Sequence, residues 1–86
     1  MDGAGQEPGG GEPHGLLDGG GEGWPRLRAA LARRLQPMEA GQVLEIITAE
    51  PSARREIPAW CAANGQYLVG MRDDHGEMRF WIRRGD

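Results

Sequence analysis

Few side chains in this chain are able to do covalent or acid–base chemistry. There is one cysteine, Cys61, and there are two histidines, His14 and His75. A thiol acts as a nucleophile or carries sulfur only where its pKa is drawn down and solvent can reach it. Cys61 stands in the run Ile57-Pro58-Ala59-Trp60-Cys61, on the helical face that Ile57 and Trp60 also occupy. That spacing predicts a small buried hydrophobe. The histidines lie far from Cys61 in sequence and lack ligand spacing, so neither a metal nor a cofactor is expected. Asp73 and Asp74 stand in Asp73-Asp74-His75-Gly76, where they are turn formers before they are acids. No Ser/His/Asp or Cys/His arrangement is present.

A second candidate is an entrance, Gly19-Gly20-Gly21-Glu22-Gly23-Trp24-Pro25-Arg26-Leu27-Arg28. A glycine loop feeding a helix N-terminus suits an anion or a nucleophile. Here the residue in place is tryptophan, which is neither. No Gly-Lys-Ser/Thr follows the glycines, so this is no phosphate loop. Trp24 admits two readings: a recognition residue at an exposed helix entrance, or a staple packed against the first helix or the sheet end.

Arginines supply the remaining chemistry. Arg26, Arg28, Arg33 and Arg34 can form a docking patch for an acidic partner or for RNA, or simply a solvated face; they wrap around the helix. Arg79, Arg83 and Arg72 bracket Trp81. Interleaved basic and aromatic residues can bind single-stranded nucleic acid, which makes an RNA-binding module a further functional alternative.

The elements that must position these residues follow from periodicity. Leu27, Leu31 and Leu35 recur at i, i+4, i+8 after Pro25, which suits a first helical turn, and predict an amphipathic helix over 25–36. Residues 42–48 (QVLEIIT) load both faces as a central strand does. Glu50-Pro51-Ser52 opens a second helix, which Asn64-Gly65 stops; Pro58 inside it predicts a kink or a restart. Residues 66–72 read as a strand with Tyr67, Val69 and Met71 on one face. After the hairpin at 73–76, residues 77–84 alternate cleanly, Met78, Phe80 and Ile82 against Arg79, Trp81 and Arg83. A short first strand over 14–18 completes the order β-α-β-α-β-β. The fold expected is an α/β (α+β) two-layer sandwich, a mixed four-stranded sheet with two helices on one face.

Bulk composition sets limits. The 86 residues suffice for one small domain. Residues 1–23 hold ten of the 15 glycines and five acids, and no arginine. Residues 1–15 are therefore expected to be a disordered tail, and 16–85 the domain. All ten basic residues fall after residue 23, against the eight remaining acids, so the folded part is about +2 and the overall −3 belongs to the tail. The longest apolar run, residues 57–63, is far too short for a membrane span, and the N-terminus has no signal-peptide pattern. A single cysteine excludes an internal disulfide. A cytoplasmic protein is expected.

Three stretches carry a resemblance: Gly41-Gln42-Val43-Leu44-Glu45-Ile46-Ile47, then Glu50-Pro51 with Arg55-Glu56-Ile57-Pro58-Ala59-Trp60-Cys61, then Arg79-Phe80-Trp81-Ile82-Arg83-Arg84-Gly85. In this order and spacing the chain resembles the TusA/SirA-like family of small sulfur-carrier proteins over about residues 16–85. In that family a pattern like L-D-x-R-G-x-x-C-P-x-P ends the first strand, and its cysteine, at the N-terminus of the first helix, carries a persulfide. The helix end stabilises anionic sulfur there. Set without gaps on residues 17–27, the pattern finds Leu17, Asp18, Gly21 and Pro25 in place. Gly20 replaces its arginine, Leu27 its second proline, and Trp24 its cysteine. The family words place a cysteine at Cys61 beside the active one, which counts against Cys61 as its replacement. The resemblance implies a sulfurtransferase-like scaffold with an altered tip. The expected function is a binding or regulatory partner in sulfur trafficking that contacts a sulfur-relay protein through Trp24, Pro25 and Arg26. An active sulfur carrier using Cys61 is the alternative.

Overall fold

The computed structural model describes residues 5–6 and 12–86 of the chain. The order is β1 (Gly5–Gln6), β2 (Gly15–Gly20), α1 (Trp24–Leu35), β3 (Val43–Thr48), α2 (Ala53–Ala63), β4 (Tyr67–Asp74) and β5 (Glu77–Arg83). The strands form one sheet in the order β1-β4-β5-β3-β2. Only β2 and β3 run parallel; every other neighbour pair is antiparallel. The four longer strands and two helices are the expected β-α-β-α-β-β sandwich. β1 is an addition of two residues at the β4 edge, within the stretch expected to be a tail; the rest of that stretch up to residue 11 lies outside the described residues.

Both helices cover one sheet face. Leu27, Leu31 and Leu35 of α1 and Ala53, Ile57 and Cys61 of α2 are buried against Leu44 and Ile46 of β3 and Met78, Phe80 and Ile82 of β5. Each large apolar side chain removed from water there contributes roughly 1.5–3 kcal/mol. The i, i+4, i+8 leucines and the alternating β5 residues thus meet across the layer their periodicities predict.

Three local expectations change. α2 runs continuously through Pro58 with no restart. At position six of the helix a missing N–H costs one backbone bond, and the burial of Ile57 and Cys61 on either side outweighs it. Second, β4 does not keep Tyr67, Val69 and Met71 on one face. Leu68 pairs with Ile82 and Gly70 with Trp81, leaving Val69 as the extra residue of a bulge. Tyr67 therefore faces outward with Arg83, while Met71 packs on the core. Third, Trp81 points away from the helices as its alternation requires, yet it is only 6% exposed.

The termini of the elements are held by specific bonds. The α2 end is a Schellman-type closure: Gly65 has φ 69° and Gln66 N–H donates to the Cys61 carbonyl at 2.9 Å. The β4–β5 hairpin turns through His75 and Gly76, with φ 57° and 94°, the left-handed pair of a two-residue type I′ turn.

Candidate functional site

The entrance to α1 begins where β2 leaves the sheet. β2 is rich in glycine and poor in strand formers, so pairing with β3 makes it a strand, from Gly15 opposite Leu44 to Gly20 opposite Thr48. His14 fastens its start: the His14 N–H donates to the Val43 carbonyl at 2.8 Å, and His14 Nδ1 accepts from Val43 N–H at 3.0 Å. His14 is thus engaged in structure. Gly19 is the unpaired residue of a bulge between Asp18 and Gly20. A Cβ on Gly19 would stand 2.8 Å from Leu27 Cδ1 and 3.3 Å from the Ile47 carbonyl oxygen, so only glycine lets α1 approach β2 this closely.

The chain then reverses. Asp18 Oδ1 accepts from Gly20 N–H at 3.1 Å, Glu22 N–H donates to the Gly19 carbonyl at 3.0 Å, and Ala49 N–H holds the Gly20 carbonyl at 2.8 Å. Gly20 has φ 49°. Gly23 is the N-cap, extended and without a side chain to cap with. Trp24 is the first helical residue and Pro25 the second. The free N–H groups of this end carry partial positive charge. The groups around them are Asp18, Glu22 and Arg26, with Arg26 Nη1 3.7 Å from Glu22 Oε1. Asp18, Gly20, Glu22, Gly23, Pro25 and Arg26 enclose a wide, shallow depression.

The three entrance residues differ in exposure. Trp24 is half-buried and packs against the hydrophobic core, whereas Pro25 and Arg26 are exposed. Trp24 therefore does the work of the staple and keeps part of its indole at the surface.

Cys61 is elsewhere, on the core face of α2 and 2% exposed. Burial pushes its thiol up to about 11. At neutral pH the thiol is therefore protonated. Among the described residues no cluster of His, Cys, Asp or Glu could hold a metal. No helix among them is long and apolar enough to cross a membrane.

The arginine sets also separate. Arg79 Nη1 donates to Glu45 Oε2 at 2.6 Å, Arg72 Nε donates to Asp74 Oδ2 at 2.9 Å, and the Arg83 guanidinium lies 4.8 Å from the centre of the Tyr67 ring. Trp81 is buried between them, so the accessible ring on this face is Tyr67, 51% exposed and engaged by Arg83; one such ring is a small platform for base stacking. The α1 arginines are all exposed. Arg26 and Arg33 line the side of α1 turned to β2, and Arg34 Nη2 reaches over Gly15. Sequence periodicity alone did not reveal this grouping, because the strand that selects one side of the helix is so weakly marked.

Comparison with known proteins adds the lineage. The family model described as sulfurtransferase TusA matches residues 29–84, beginning after the Trp24-Pro25 entrance. A protein of Pseudomonas entomophila named sulfur carrier protein TusA is 35% identical over 68 residues, covering 79% of this chain and 85% of the relative. Its namesake in Pseudomonas putida is 33% identical over 72 residues, covering 84% and 90%. That of Pseudomonas paraeruginosa is 32% identical over 69 residues, covering 80% and 87%.

Proposed function

The chain belongs to the sulfurtransferase TusA family, and from that premise we propose that it acts by binding a sulfur-relay protein and does not itself carry sulfur. The observation that supports this reading is the state of its one thiol. A persulfide carrier needs a reachable sulfur of lowered pKa. The single cysteine of this chain is packed into the core with its pKa raised, and Trp24 heads the helix whose end would suit an anionic sulfur. In this reading Trp24 occupies the carrier cysteine's place, and its surface edge, Pro25 and Arg26 make the contact.

The test is a titration of labelled protein with a cysteine desulfurase and with a downstream sulfur acceptor. Amide shifts should move around residues 24–26 for at least one of them. Incubation with desulfurase and cysteine should leave the intact mass unchanged. A gain of one sulfur atom that Cys61→Ser abolishes would instead establish Cys61 as an active carrier, and silence around Trp24 with both proteins would refute the binding role.

A further inference from the structure

The side of α1 that faces β2 has no assigned role. α1 carries four arginines and no acidic residue. Arg26 has Glu22 as a distant, exposed partner. Arg33 and Arg34 make no ion pair among the described residues, although acids outnumber basic residues in the chain as a whole. Beside them runs β2, the last strand of the sheet, with one edge bonded to β3 and the other unpaired among the described residues. The trough between helix and strand has a floor of small or apolar groups, Ala29, Ala30, Leu17 and Gly19, and Arg33 on its wall. Leu16, on the opposite face of the same strand, is 49% exposed.

We propose that this trough docks an acidic, extended segment of a protein partner, which adds to the free edge of β2 and pairs its carboxylates with Arg33 and Arg34. This deepens the binding role argued above and rests on it, since the trough is continuous with the entrance at Asp18, Glu22 and Arg26. An unpaired strand edge offers N–H and C=O groups to an incoming strand. Guanidinium groups recognise carboxylates through paired N–H donors. Glycines in β2 leave its backbone open to close approach. The trough is graded, with Asp18, Glu22 and Arg26 giving the entrance end a net negative charge and Arg33, with Arg34 beside it over Gly15, at the far end. An acidic segment is therefore repelled at one end and held at the other, which sets its register. RNA fits less well: the same two carboxylates repel phosphates, and no aromatic ring lines the trough for stacking among the described residues.

The experiment uses the full chain, a labelled peptide of alternating Glu and Val, its Lys-Val counterpart, and a single-stranded RNA of equal charge. The Glu-Val peptide should bind, shift the amides of β2 and of the last turns of α1, and weaken with added salt. Arg33→Gln/Arg34→Gln should reduce its affinity about tenfold with unchanged thermal stability, while Arg28→Gln, on the other side of α1, should not. Equal binding of the Lys-Val peptide, stronger binding of the RNA, shifts mapped elsewhere, or an equal effect of Arg28→Gln would each overturn the proposal. If a desulfurase moves Trp24 but its affinity ignores Arg33→Gln/Arg34→Gln, the trough proposal fails while the binding role stands. If the peptide behaves as expected and no relay protein moves Trp24, the reverse holds.

Discussion

Arg84 Nε donates to the main-chain carbonyl of Leu35 at 2.9 Å, tying the exit of the last strand to the last residue of α1. That carbonyl also accepts from Met38 N–H at 3.0 Å. It is one of the four a helix C-terminus leaves without intrahelical partners, and a guanidinium there also meets the negative end of the helix. Arg84→Ala should cost about 1–2 kcal/mol, measured by urea unfolding. Arg84→Lys should recover only part of this, because an ammonium lacks the planar fork that also reaches the Gly85 carbonyl. Equal stability of Arg84→Ala and the unaltered protein would show that the bond is dispensable.

Gly85 makes a second tie at the same end. Its N–H donates to Gln66 Oε1 at 2.7 Å, and a Cβ on it would fall on the Gly65 carbonyl oxygen. Backbone blocks the added methyl, so the C-terminal residues must leave their site. Gly85→Ala should cost about 1–3 kcal/mol. The thermal midpoint of unfolding reads this directly, and an unchanged midpoint contradicts the packing described.

The buried thiol gives the protein an alkaline limit. Burial raises the pKa of Cys61 to about 11 from its ordinary value of 9.0. Below pH 9 the thiol is protonated in both states and its contribution is fully present. Between about 9 and 11 the unfolded chain ionises first, binds fewer protons, and stability falls with rising pH by up to about 1.4 kcal/mol per unit. Cys61→Ala should flatten this limb. A thiol reagent at pH 8 should react with the native protein only through unfolding, so its rate should rise with urea.

If Trp24 fills a carrier position, Trp24→Cys rebuilds the sulfur site. The new thiol at the first residue of α1 should titrate below the free value of about 8.5, read from the pH dependence of alkylation, and should gain one sulfur atom on incubation with a cysteine desulfurase and cysteine. A thiol of ordinary pKa that takes up no sulfur would mean that this helix end was never suited to the chemistry. Loss of the indole also removes packing against the core, at about 1–3 kcal/mol.

His75 holds φ 57° in the hairpin turn, a conformation that asparagine and glycine adopt more readily. His75→Asn should raise stability by a few tenths of a kcal/mol, to about 1 kcal/mol at most. A loss would indicate that the imidazole makes a favourable contact of its own.

How much of this was legible beforehand divides by mechanism. Both helices, β3 and β5 follow from periodicity, because the leucines of α1 and the alternation of Met78, Phe80 and Ile82 each encode one buried face. The start of α1 was also legible, through Pro25 and the glycines before it. The bulge at Val69 was not, since one inserted residue reverses every side chain before it without leaving a mark in composition. Nor was the burial of Trp81, which depends on what lies beside it: Gly70 in β4 and Glu45 in β3. The extent of β2 was hidden because Gly-Leu-Leu-Asp-Gly-Gly has little strand propensity of its own and borrows its conformation from β3. The side of α1 that faces β2 was hidden with it.

The weakness of β2 has a consequence in time. Its partners in β3 lie 29 positions along the chain at Gly15 and Leu44, whereas β4 and β5 close through a two-residue turn. Loop entropy therefore favours early formation of the hairpin and late arrival of β2. A strand that arrives last, with glycine at half its positions and one edge unpaired among the described residues, is also the first to detach in the native state. Amide hydrogens of β2 should accordingly exchange with solvent well before those of β5. The entrance and the trough would then sit on the part of the molecule that opens most readily, so a partner that binds there also completes the latching of the sheet.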